Sequence, residues 1–149
     1  MSELPLWYPQ LKWSQPHLVA TIAQKDLPLG AGLYVFTRDG NIGLSDRNVL
    51  YVGKADGAGQ TLQTRVGVYL RCLRSKSDKL PRHAGLRDLV AYGRASAGAL
   101  FLRWAGVVVG RELEGRLIQL FDPPFNHKEE HRIGYMDDEL IPEFYLYEP

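Results

Sequence analysis

The chain has 149 residues, 45% hydrophobic and 23% charged, the make-up of an ordinary globular protein with enough length for one sizeable core. It opens with no basic stretch leading into an apolar one, no apolar run approaches membrane length, and a lone Cys72 cannot close an internal disulfide, so a soluble, cytoplasmic domain is expected. The net charge of +1 conceals a gradient: eight Lys or Arg stand against Asp78 and Asp88 between Thr61 and Ala95, and seven acids against Arg132 alone between Glu129 and Pro149. The basic segment can follow a phosphate backbone, or it can be a solvated helical face.

In chain order, "HLVATIAQK" after Pro16 reads as a short helix and "LPLGAG" as a turn. "GLYVFTR" alternates into a strand that ends near Asp39-Gly40, and "NVLYVGK" forms a second strand across a long, irregular hairpin loop. Thr61 is a plausible N-cap for the helix "LQTRVGVYLRCLR", whose Leu62, Val66, Tyr69 and Leu73 recur at helical spacing. A second helix is expected over "AGLRDLVAYG", a third strand within "ALFLRWAGVVV", and a last helix over "RELEGRLIQLF", stopped by Pro123-Pro124. The predicted fold is α/β (α+β): a small three-stranded, mixed or antiparallel central sheet flanked by helices. One domain covers 1–149, with a core of about 29–128, a short N-terminal extension (1–28) and an acidic C-terminal one (129–149) that either overlies the basic surface or adds a strand through "EFYLYEP".

If the two strands pair antiparallel, Tyr34 and Tyr51 project from one face, and Gly32 and Gly53 leave room for a backbone or ligand to approach. Two amphipathic core tyrosines would look the same. Taken together, "GLY" at Gly32–Tyr34, "YVG" at Tyr51–Gly53, "LQTR" ending in Arg65, Tyr69 four residues on, and the closing Glu114, Leu117-Ile118, Pro123-Pro124, Phe125 and Asn126 resemble the GIY-YIG nuclease superfamily. Leu33 and Val52 stand where the family has isoleucines, and the loop from Gly53 to Arg65 is a few residues longer.

That resemblance implies a divalent-metal-dependent endonuclease acting on DNA; the residues themselves do not distinguish DNA from RNA. Glu114 would hold Mg²⁺ or Mn²⁺, Arg65 would neutralise the scissile phosphate with its permanently charged fork, and Tyr51 would take the proton from water. A free phenol has a pKa of about 10, so Tyr51 would need cations nearby, with Lys54 and Arg65 as candidates. Tyr34 and Tyr69 would position water or phosphate, and Asn126 would brace the site. Arg71, Arg74, Lys76 and Arg82 are the expected nucleic-acid contacts. The rival readings are a non-catalytic nucleic-acid-binding module on the same scaffold and a nuclease toxin or defence protein controlled by a partner.

Within the last helix the apolar stripe runs through Leu113, Leu117, Ile118 and Phe121, so Glu114 shares the inward face. Glu112, four residues before Arg116, is expected in a surface ion pair. "HKEEH" at His127–His131 formally matches a zinc-peptidase arrangement, but its setting after Pro-Pro-Phe-Asn favours surface histidines. His83 in "LPRHAG" reads as a solvated loop histidine or a phosphate contact.

Overall fold

The computed structural model describes residues 8, 11–56, 59–75, 83–95, 99–107 and 111–126. It is a mixed α+β fold. The strands β1 (His17–Leu18), β2 (Gly32–Thr37), β3 (Val49–Ala55) and β4 (Phe101–Gly106) form one sheet in the order β1-β4-β2-β3, and every pairing is antiparallel. The helices are α1 (Leu62–Arg74), α2 (Ala84–Ala95) and α3 (Arg111–Phe121). From β2 onward the order ββααβα is the one the sequence predicts. Among the described residues no helix is long and apolar enough to cross a membrane.

Four strands, not three, make the sheet, and the extra one comes from the segment read as a helix. Leu18, Val19 and Ile22 have a spacing that suits a helix, but the backbone of Leu18 and Val19 is taken up by the outer edge of β4. Trp13 bridges Ala105, Ser14 N–H donates to the Trp104 carbonyl at 2.7 Å, and Val19 N–H donates to the Leu100 carbonyl at 2.9 Å. Pro16 interrupts this edge, as prolines do where no ladder donor is required. Beyond the edge the chain turns, with the Ile22 N–H on the Leu18 carbonyl at 3.0 Å, and Gln24–Asp26 form a single 3-10 turn in place of the predicted helix.

The sheet separates two apolar layers. Tyr34, Phe36, Leu50, Tyr51 and Leu102 face α1 and α2, while Leu33, Val35, Val49, Val52 and Ala105 face α3 with its Leu117 and Phe121. A bulge sets this partition. Phe36 pairs with Tyr51 but Thr37 pairs with Val49, so Leu50 is the extra residue and joins Tyr51 on the α1 face.

Capping fixes the start of α1: Thr61 Oγ1 accepts the Thr64 N–H at 3.1 Å and Thr64 Oγ1 accepts the Thr61 N–H at 2.9 Å. The hairpin loop is held internally by Asn48, which donates to Asp39 Oδ1 and the Gly43 carbonyl and accepts the Ser45 N–H. Arg103, 5% exposed, donates to the carbonyls of Ser14 and Ile42 and so ties that loop to the N-terminal segment. Its burial draws its pKa down, and burial pushes the Tyr8 phenol up against the opposing pull of Arg103.

Asn126 closes the free edge of β3. Its Oδ1 accepts the Val52 N–H at 2.8 Å and its Nδ2 donates to the Val52 carbonyl at 2.9 Å, as a neighbouring strand would; Phe125 N–H adds a bond to the Leu50 carbonyl at 3.0 Å. Asn126→Ala is therefore expected to cost roughly 1–3 kcal/mol, because both Val52 groups lose their partner. Urea denaturation measures this, and an unchanged midpoint would show that the edge needs no cover.

Candidate functional site

Antiparallel pairing puts Tyr34 directly opposite Gly53 and Phe36 opposite Tyr51, all on the α1 face. The glycine is needed for space, since a Cβ on Gly53 would lie 2.2 Å from Tyr34 Cζ. Gly32 serves close approach in the same way: a Cβ there would lie 2.5 Å from both the Ala105 carbonyl oxygen and Leu62 Cδ1. The room that the sequence assigned to a ligand or a backbone is thus filled at Gly53 by Tyr34's own ring. Gly53→Ala is expected to displace that ring at a cost of about 1–3 kcal/mol, as overpacking does, whereas Gly43→Ala, with nothing within 4 Å of its Cβ, should be nearly silent. Equal melting temperatures for the two variants would count against this packing.

Arg65 and Tyr69 sit one turn apart on α1, and that turn lies over the tyrosines of the sheet. Arg65 Nη2 donates to Tyr69 Oη at 3.3 Å, and the guanidinium carbon lies 5.2 Å from the Tyr69 ring centroid. The Tyr51 and Tyr69 hydroxyls share a hydrogen bond of 3.2 Å. The Tyr34 ring meets Tyr69 edge-on at 5.6 Å, and Phe36 stacks on Tyr69 at 5.8 Å. Since Tyr69 Oη accepts from Arg65, its own proton can be directed at Tyr51 Oη. A guanidinium polarising a phenol that donates to a second phenol is the arrangement that supports charge on the second oxygen. The four residues Tyr34, Tyr51, Arg65 and Tyr69 are each at most 2% exposed.

Glu114 is 1% exposed and lies on the stripe of Leu117 and Phe121, so the inward register expected of it holds. That stripe packs on the opposite face of the sheet from Arg65. Lys54 also differs from its expected position beside Tyr51: it pairs with Leu33 and therefore belongs to the α3 face, buried at 2% exposure. The side-chain period of a strand contains the reason, because residues 51 and 54 are separated by an odd number. The structure thus gathers three tyrosines and an arginine on one face, and it places Lys54 and Glu114 on the other. The two groups flank β3, which is the edge strand of the sheet.

Arg71 is exposed on α1. Arg74 has a structural task, donating to the carbonyls of Val19 and Ile22 and so pinning the chain beside β1. Lys76, Arg82, the side chain of Glu112, "HKEEH" and the acidic C-terminal stretch lie outside the described residues. Asn126 holds the backbone of Val52, between Tyr51 and Gly53. The sequence reading missed the part played by His83 and Gly85, which begin α2 against the Tyr51 ring. The cue was weak, since histidine is not among the preferred capping residues. No family model matches the chain, and no curated protein or solved structure matches it.

Proposed function

We propose that the protein is a divalent-metal-dependent endonuclease that hydrolyses DNA phosphodiester bonds. The observation that carries the reading is the Arg65–Tyr69–Tyr51 chain of hydrogen bonds, which couples a fixed positive charge to a phenol suited to take a proton. In the proposed reaction Tyr51 enters as the phenolate, held by the proton that Tyr69 directs at its oxygen; Tyr51 Oη takes a proton from the attacking water and becomes the neutral phenol. Water oxygen bonds to phosphorus, the bond from phosphorus to the 3′ oxygen breaks, and that oxygen takes a proton from solvent. The products carry 5′-phosphate and 3′-hydroxyl ends. Arg65 offsets the growing charge on the phosphoryl oxygens with a planar fork that is never deprotonated.

The donor chemistry fits a hard cation. Glu114 is a buried carboxylate, and Mg²⁺ or Mn²⁺ takes one or two carboxylates while its other positions go to water and substrate phosphate. When bound, such a cation draws charge from the phosphoryl and departing oxygens. Glu114 would hold it, and the reading requires that this carboxylate and the tyrosine face, on opposite sides of β3, reach one substrate. Because Arg65 and the three tyrosines are covered, the reading also requires that this cover open for a phosphate.

The same burial favours a second reading, in which Arg65 and the tyrosines are a hydrogen-bonded core network of a non-catalytic nucleic-acid-binding module. Incubation with labelled single-stranded, duplex and branched DNA and with RNA, with Mg²⁺ or Mn²⁺, separates the two. The nuclease reading expects cleavage of at least one substrate; binding with no cleavage of any would favour the module.

A basic surface should also set the salt dependence. Replacing Arg71, Lys76 and Arg82 with Ala is expected to weaken DNA binding with little change in the saturated rate, each lost phosphate contact flattening the log–log salt slope by about 0.9 on duplex DNA. Arg74→Ala should act differently, lowering the melting temperature because two backbone carbonyls lose their donor. An unchanged salt slope after the triple replacement would make the segment a solvated face.

A further inference from the structure

His83 is the N-cap of α2. Its carbonyl accepts the Arg87 N–H at 2.8 Å, and its Nδ1 accepts the Leu86 N–H at 3.1 Å. Accepting that bond leaves Nδ1 with its lone pair, so the neutral ring carries its proton on Nε2. The bond also fixes the ring plane. Held in this way, the imidazole meets the Tyr51 ring edge-on, with centroids 6.3 Å apart and planes at 81°.

Two residues further on, Gly85 brings the α2 backbone against the same ring. A Cβ at Gly85 would lie 2.7 Å from Tyr51 Cε1 and 2.8 Å from the Phe125 carbonyl oxygen. At its tip the same side chain is tied to Tyr69 by the 3.2 Å hydroxyl bond. Tyr51 is thus gripped along its ring by the first turn of α2 and at its oxygen by α1. The usual capping side chains, Asn, Asp, Ser and Thr, would satisfy Leu86 N–H equally well but would put no ring beside Tyr51.

We propose that His83 is a positioning residue for Tyr51: its ring, locked by the bond from Leu86, holds the phenol in the direction from which it takes a proton. The inference rests on the reading of Tyr51 as the base. The neutral imidazole acts by shape and by its fixed plane, and it transfers no proton.

The test uses His83→Asn, which keeps a cap acceptor and removes the ring, and His83→Phe, which keeps a ring and removes the acceptor. Thermal denaturation, single-turnover cleavage of DNA and ¹⁵N NMR of the imidazole are measured on the full chain. The ¹⁵N shifts should report the Nε2–H form. His83→Asn should melt near the wild-type temperature and keep its KM, yet lose about tenfold in kcat, within the range expected when a reacting group is misplaced by a fraction of an ångström. His83→Phe should melt lower but keep more of its kcat than His83→Asn. A His83→Asn protein with wild-type kcat, or an imidazole protonated on Nδ1, would overturn the proposal. Tyr51→Phe in the same assay separates the two claims. If it is inactive while His83→Asn is fully active, only the positioning role is wrong; if it cuts at the wild-type rate, the base assignment fails and the role of His83 falls with it.

Discussion

Glu114→Gln is expected to abolish cation-dependent cleavage while the protein stays folded. The carboxylate is 1% exposed on the buried stripe of α3, and a charge in such a place is costly unless it is paired or bound to a cation. The amide keeps the shape and much of the hydrogen-bonding capacity, but it offers a neutral donor to a hard cation. Removing one electrostatic stabiliser typically lowers kcat by roughly 10²- to 10³-fold, and loss of the only proposed carboxylate ligand should reach at least that. Glu112→Gln, two residues earlier on α3, should be nearly silent. Parallel single-turnover assays with melting curves decide the matter. Loss of activity in Glu112→Gln and not in Glu114→Gln would mean that the cation site is built elsewhere.

Arg65→Ala should lower the saturated cleavage rate by roughly 10²- to 10³-fold while DNA affinity falls far less. The guanidinium is 2% exposed and donates to Tyr69 Oη, so its loss removes both the phosphate clamp and the group that polarises Tyr69. Truncating a buried arginine also leaves a void and an unmatched hydroxyl, which lowers stability. Arg65→Lys controls for this, because it retains the charge and much of the volume but lacks the planar fork. Lysine should restore the melting temperature more fully than the rate. An Arg65→Ala protein that cuts as fast as the wild type would remove the central residue from the mechanism.

Where the signals were local, the fold was legible. Thr61 caps α1, Pro123-Pro124 follow the end of α3, and the strand read in "GLYVFTR" is β2, which ends at Thr37, one residue short. The N-terminal segment misled because the spacing of Leu18, Val19 and Ile22 satisfies a helix, while the outcome was set about 80 residues away by the open edge of β4. The side chain of Asn126, too, finds its partner 74 residues away, and a motif can only hint at such a pairing. For the site, strand alternation correctly put Tyr34 and Tyr51 on one face, while Arg65 and Tyr69 were named by the motif resemblance, not by spacing, and the structure sets both on the helix over that face. The same alternation, applied to Lys54, would have moved it to the α3 face. The Leu50 bulge and the capping bond of His83 had no sequence cue strong enough to be read, since both depend on how the sheet meets its helices.

The most direct measurement is the single-turnover cleavage rate of end-labelled DNA by the purified wild-type chain, taken across a titration of Mg²⁺ or Mn²⁺ and again in excess chelator, with the product ends mapped. The account predicts a rate that rises with the cation, vanishes in chelator, and leaves 5′-phosphate ends. Full activity in chelator, or 3′-phosphate ends, would contradict it.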